Sequence, residues 1–94
     1  MPEEKIMTLH PQGKKGVNID KAKYEQVKTV VLEIIESQQP ITFTHMFHLA
    51  NEILAEAKFE GKPGWYVTTV KLDLEAREVI KRVPKTSPHQ LVMS

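Results

Sequence analysis

The chain contains no cysteine. Disulfides, thiolate metal sites and cysteine nucleophiles are therefore excluded. A small domain without disulfides suits a reducing compartment, and we expect a cytoplasmic protein. The first residues, MPEEKIMTLHPQ, lack the positive start and apolar centre of a signal peptide, so we expect no targeting segment. No long hydrophobic run is present, which argues against a membrane-spanning helix.

An excess of charge of one sign is also missing. Thirteen Lys and Arg residues face 12 Asp and Glu residues, and the net charge is +1. Strong nonspecific nucleic-acid binders usually carry more positive charge. The distribution is uneven, however, because residues 79–94 contain no acid but include Lys81, Arg82, Lys85 and His89. This pattern predicts a local cationic patch near the C-terminus.

The length of 94 residues allows one domain with a modest core. Residues 1–18 are rich in Pro, Gly and Lys, and they predict an irregular N-terminal arm. The arm also contains apolar residues, so we expect part of it to pack on the body or on a partner chain. Residues 19–94 are expected to form the folded domain.

Apolar residues recur at helical spacing in three segments, about residues 21–37, 45–57 and 65–77. Asn18 or Asp20 can cap the first helix, and the Gln39-Pro40 pair should end it. A short extended piece over residues 41–43 should precede the second helix, with Thr44 as the N-cap residue.

The third helix is predicted to have two apolar faces. Val67, Val70 and Leu74 line one face, and the nearly opposite face is formed by Trp65, Thr69, Leu72 and Ala76. A polar wedge is left for Thr68, Lys71 and Glu75. Such a helix is sandwiched between other elements, or it presents one face to a partner.

The C-terminal region predicts a β-hairpin with a basic tip. Residues 79–83 form the first strand, residues 84–88 the turn and residues 90–93 the returning strand. The predicted order is arm, helix, short strand, helix, helix, strand, turn and strand. We therefore expect an α+β domain in which the hairpin and the short strand pack on the helices.

Four short segments resemble the winged helix-turn-helix proteins, most visibly bacterial regulators of the multiple-antibiotic-resistance and phenolic-acid-repressor types. The segments are Val67-Thr68-Thr69-Val70, Leu74-Glu75-Ala76-Arg77, Val79-Ile80-Lys81-Arg82 and Ile41-Thr42-Phe43-Thr44. Glu78 stands where that pattern usually has glycine. Leu72 stands where DNA-reading relatives tend to have polar or basic residues. The whole chain also looks like a family of short bacterial proteins of unknown function, a resemblance that implies no activity.

The resemblance implies a transcription-regulatory protein that binds double-stranded DNA. Under this hypothesis the third helix faces the major groove and the hairpin forms a wing that contacts phosphates. The residues expected at the interface are Thr68, Thr69, Lys71, Lys81, Arg82, Lys85 and His89. The alternative for the same residues is a solvated helix face and a soluble hairpin tip.

A second hypothesis concerns the face that contains Trp65 and Leu72. This face predicts a partner interface, such as a homodimer seam, in a protein that has the same fold and does not bind DNA. Alternatively, the arm of the same chain covers the face through Leu9, Val17 or Ile19.

No arrangement of residues predicts an enzyme. Asp73 and Glu75 lie two positions apart on a helix and point to different faces, so they cannot work as an acid–base pair. His45, His48 and Glu52 share a helix face, but we interpret them as exposed polar residues. We therefore expect no catalytic residue, metal, cofactor or small-molecule substrate.

Overall fold

The computed structural model describes residues 4–14, 16–85 and 89–94. This part of the chain forms three helices and five short strands, so the predicted α+β class is confirmed. The elements in chain order are β1 (Lys5–Met7), β2 (Asn18–Asp20), α1 (Lys21–Gln38), β3 (Ile41–Thr42), α2 (Phe43–Glu56), α3 (Pro63–Ala76), β4 (Ile80–Arg82) and β5 (Gln90–Met93).

Local chemistry sets the start of each helix. Asp20 caps α1, because its carboxylate accepts a hydrogen bond from the Ala22 N–H at 3.2 Å. Thr42 caps α2, since its hydroxyl oxygen accepts from the His45 N–H at 3.1 Å. The prediction of Thr44 as the cap is therefore wrong. Helix α3 starts two residues earlier than predicted because Pro63 fits the first turn, where its missing N–H costs nothing.

Helix α3 ends in a left-handed turn at Glu78, whose φ angle is 62°. The Val79 N–H donates to the Leu74 carbonyl at 2.9 Å, and the Glu78 N–H donates to the Glu75 carbonyl at 3.1 Å. These two bonds form a Schellman motif, in which glycine is the usual left-handed residue. Helix α2 ends in the same way, with Lys58 at a φ of 56°.

The C-terminal hairpin predicted from the sequence is present. Strand β5 lies between β3 and β4 in a three-stranded antiparallel sheet of order β3-β5-β4. Ile41 lies opposite Leu91, and Lys81 lies opposite Val92. The predicted turn begins with Pro84 and Lys85, and its residues 86–88 lie outside the described part of the chain.

The arm is a β-hairpin instead of the irregular segment expected from the sequence. Strands β1 and β2 pair with Ile6 opposite Ile19. The Thr8 hydroxyl donates to the Val17 carbonyl at 3.0 Å and accepts from the Val17 N–H at 2.9 Å. Gly16 is required here, because a Cβ atom at this position would lie 1.7 Å from the Thr8 carbonyl oxygen. Three-residue strands are too short to give a clear alternation in the sequence.

The core lies between the three helices and the three-stranded sheet. The predicted inner face of α3 is confirmed, since Val67, Val70 and Leu74 are fully buried. The buried residues of α1 and α2, together with Ile19 of β2 and the strand residues Ile41, Ile80 and Leu91, complete the core. No helix within the described ranges is long and apolar enough to span the bilayer.

Replacement of Glu78 by glycine tests the turn that ends α3. A left-handed conformation is unfavourable for a residue with a Cβ atom, so we expect Glu78→Gly to raise the free energy of unfolding by about 1 kcal/mol. Urea denaturation measures this change. The control is Glu33→Gly, in the middle of α1, which should lower it by about 1 kcal/mol. Destabilisation by both variants would contradict the assigned turn.

Candidate functional site on the third helix

The N-terminal hairpin lies across the outer side of α3. A slot of about 160 Å³ separates the two elements, and Leu9, Val17, Trp65, Thr69 and Leu72 are among the residues that line it. The Leu9 N–H reaches the helix directly and donates to Asp73 Oδ1 at 2.8 Å. The second apolar face of α3 is thus partly covered by the arm of the same chain.

Asp73 joins the arm to two helices. Its side chain is completely buried. Besides the Leu9 N–H, it accepts a hydrogen bond from the Tyr24 hydroxyl of α1. Arg77 Nε donates to both carboxylate oxygens at 3.0 Å, which neutralises the charge. Burial, and then the hydrogen bond to Asp73, raise the pKa of Tyr24, so the hydroxyl stays protonated as a donor.

Sequence reasoning missed the role of Asp73. The available signal was the i, i+4 spacing of Asp73 and Arg77 on a helix with two apolar faces. When other elements cover both apolar faces of a helix, an acidic side chain between the faces becomes buried. Its carboxylate then needs hydrogen-bond donors from the elements that cover it.

Lys71 is buried, with 3% of its side chain exposed, which contradicts the predicted exposed wedge. Its ammonium lies 2.7 Å from Glu75 Oε1 and 4.7 Å from the centre of the Phe43 ring. Arg82 Nε from β4 lies 3.3 Å from both Glu75 oxygens. Burial lowers the pKa of Lys71, while the bond to Glu75 opposes that shift. The wedge is closed because the hairpin β4–β5 and Phe43 pack over it.

His89 belongs to the same cluster. Its ring stacks on Phe43 with 5.5 Å between centroids and 10° between planes. Its buried Nε2 atom has no hydrogen-bond partner in the ranges that the structure describes. Burial, and then the positive charges of Lys71 and Arg82, lower the pKa of His89. The imidazole is therefore neutral at pH 7, and His89 adds no positive charge to the cationic residues near it.

The structure does not bring the seven predicted nucleic-acid contacts into one surface. Thr68 and Thr69 are half-buried on α3, and Thr69 faces the arm. Arg82 is exposed but lies next to Glu75. Lys81 and Lys85 are exposed, and neither makes an ion pair within the described ranges.

Exposed apolar side chains concentrate around the arm. Five large ones are exposed in the described part of the chain, and four of them lie on the arm or at the start of α3: Met7, Leu9, Val17 and Trp65. We call these four residues, together with Leu72, the arm patch. The fifth residue, Ile53, lies on α2.

The groove beside Trp65 carries charges of both signs. Lys5 and Lys23 line it together with Asp20 and Glu60. The rim of the arm patch is therefore electrically balanced. Within the ranges that the structure describes, no three His, Asp or Glu side chains meet in a way that could hold a metal ion.

The lowered pKa of His89 predicts a loss of stability in acid. Well above a pH of about 6.5 the ring is neutral in both states, so His89 does not lower the stability of the folded protein there. As the pH falls further, the unfolded chain takes up the proton first, because burial of the ring, and then the charges of Lys71 and Arg82, oppose protonation in the folded chain. Glu75, which is paired with both cations, only partly offsets this effect.

Urea denaturation from about pH 7 down to about pH 5 measures this loss. We expect His89→Phe, which keeps an aromatic ring against Phe43, to lose less stability over this range than the wild type. His45→Gln, at an exposed position on α2, is the control and should decline as the wild type does. Equal declines in all three proteins would refute the assigned environment of His89.

Comparison with known proteins places the chain in a family. Residues 5–91 match the profile of a family of unknown function, DUF6958, which covers nearly all of the chain. No curated protein and no solved structure matches the chain. The expected resemblance to a family of unknown function is confirmed, whereas no winged-helix family is among the matches. The chain therefore belongs to this family of unknown function.

Proposed function

We propose that residues 19–94 form a winged helix-turn-helix domain. The proposal is supported by the order helix, strand, helix, helix, strand, strand, and by the sheet order β3-β5-β4. In this arrangement α3 corresponds to the recognition helix, and the loop between β4 and β5 corresponds to the wing. The N-terminal hairpin is an addition that packs on the outer side of α3.

We infer that the domain is a protein-interaction module and neither a base-reading DNA-binding protein nor an enzyme. The observation that carries this inference is the cover over α3, where Leu9 of the arm is bonded to Asp73. A recognition helix needs a free outer side to enter the major groove. In this chain Thr69 and Leu72 face the arm, and Lys71 is buried against Glu75.

The partner that best fits the arm patch is a second copy of this chain. In a two-fold dimer the same patch meets itself, so its charges must be complementary to themselves. The rim meets this requirement, because Lys5 and Lys23 of one copy can face Asp20 and Glu60 of the other. Trp65, with 47% of its surface exposed, is the large aromatic residue that would anchor the contact.

A charge placed in the patch tests self-association. We expect the wild type to form a dimer and Trp65→Glu to weaken its Kd by about 30-fold or more, as loss of an interface anchor does. Analytical ultracentrifugation over a concentration series measures this change. Ile53→Glu is the matched control, because Ile53 is similarly exposed, at 44%, and lies outside the patch. A wild type that stays monomeric at millimolar concentration would rule out the dimer.

A second candidate function is contact with the phosphates of nucleic acid through the wing. It is favoured by the absence of acids in residues 79–94 and by the exposure of Lys81 and Lys85. Two such contacts would give weak binding without sequence preference. Affinity should then fall about tenfold between about 50 and about 200 mM salt.

Fluorescence anisotropy with a random-sequence duplex tests this candidate. We expect Lys81→Glu/Lys85→Glu to abolish the salt-sensitive signal, because two phosphate contacts become repulsive. Arg82 is left unchanged, since its substitution would also disturb Glu75. Lys28→Glu/Lys58→Glu, with the same charge change on α1 and the loop after α2, should bind as the wild type does. Equal losses of DNA binding in both variants would show that the effect comes from the net charge and not from the wing.

A further inference from the structure

We propose that the free edge of β4 binds an extended acidic peptide as an additional strand of the sheet. Strand β4 lies at the end of the order β3-β5-β4, so one of its sides has no neighbouring strand in the described part of the chain. An edge of this kind offers backbone donors and acceptors to another extended segment. The proposed surface is separate from the arm patch, and it does not depend on self-association.

The hydrogen-bond pattern identifies the groups that face outward. The Ser94 N–H donates to the Val79 carbonyl at 3.1 Å, and the Val83 N–H donates to the Gln90 carbonyl at 2.9 Å. In an antiparallel pair, every second residue bonds to the neighbouring strand. Lys81, midway between Val79 and Val83, therefore bonds toward β5. The N–H and C=O groups of Ile80 and Arg82 point away from the sheet.

The edge opens into a groove. A cavity of about 530 Å³ runs along β4, and Pro11 of the arm and Ser94 lie on its wall with Ile80, Lys81 and Arg82. A new strand would lie about 4.8 Å from β4, beside the outward backbone groups of Ile80 and Arg82, and both of these residues line the cavity. The arm thus leaves the edge of β4 accessible while it covers the outer side of α3.

The positive charges beside the edge of β4 favour an acidic partner. Lys81 and Lys85 are exposed next to the edge, and residues 79–94 contain no acid. Glu75 also lines the groove, but it is already paired with Lys71 and Arg82. Glu78, two residues before β4, is the other acid that lines the groove, and it makes no ion pair within the described ranges. The acidic side chains of a bound peptide should therefore lie toward Lys81 and Lys85. A second copy that paired edge to edge would bring the basic residues of both chains together, which disfavours this occupant.

A seven-residue peptide of alternating Glu and Val residues, labelled with fluorescein, is a suitable probe. Its matched control has the same sequence, with the backbone nitrogens of alternate residues methylated so that they cannot donate to β4. We expect the full chain to bind the methylated peptide about tenfold more weakly, since two hydrogen bonds are lost. We expect bound peptide to slow amide hydrogen exchange at Ile80 and Arg82 more than at Lys81.

Two variants of Arg82 separate the backbone contact from the side chain. Arg82→Pro removes the guanidinium and also an outward N–H, whose loss an edge strand tolerates. Arg82→Ala keeps this N–H and removes the guanidinium. We expect the proline variant to bind the peptide more weakly than the alanine variant. If the proline variant does not fold, the binding of the unmodified and methylated peptides to the wild type tests the proposal instead.

Three results would overturn the proposal. These are equal binding of the methylated peptide, unchanged exchange at Ile80 and Arg82, and the same protection of both amides by a short DNA duplex. The last result would show a basic surface that recognises negative charge without strand pairing.

Discussion

The buried carboxylate of Asp73 is the group on which the arrangement of the arm depends. An ionised carboxylate without partners inside a protein is very costly, and Asp73 is fully buried. Its donors come from three parts of the chain: Leu9 of the arm, Tyr24 of α1 and Arg77, the residue after α3. The Asp73 carboxylate therefore has all of its hydrogen-bond donors only when the arm, α1 and the end of α3 are packed together. The arm is part of the domain for this electrostatic reason as well as for its apolar contacts.

A second ionic cluster lies on the other side of the same helix. Lys71, Glu75 and Arg82 join α3 to the C-terminal hairpin, and Phe43 stacks with His89 beside them. Helix α3 is thus held between the N-terminal and C-terminal hairpins, with a charged group facing each. Its two apolar faces follow from this position. Most of the charge that an exposed recognition helix would direct at a ligand is neutralised inside the protein.

The sequence predicted the elements with a strong repeat and missed those defined by contacts between segments. Helical spacing located the three helices and the buried face of α3, and Glu78 was recognised at a position that favours glycine. Spacing gives the angle of a residue around a helix but not what packs there. The sequence therefore predicts an accessible polar wedge for Lys71, although the hairpin covers this residue. The arm strands span three residues each, and the partners of Asp73 are up to 64 residues away in the chain.

These contacts also bear on how a domain of this kind can act. For α3 to enter a major groove, the arm must leave, and the Leu9–Asp73 hydrogen bond must break. A hydrogen bond to a charged group contributes about 1.5–3 kcal/mol, and the apolar contacts of Leu9 and Val17 would be lost as well. A good bidentate base contact gives about 1–3 kcal/mol of discrimination, and Thr68 and Thr69 of α3 each have a single hydroxyl, which cannot form one. Opening the arm would therefore cost at least as much free energy as base contacts by the helix could contribute. The two proposed binding surfaces, the arm patch and the edge of β4, are already open and need no such rearrangement.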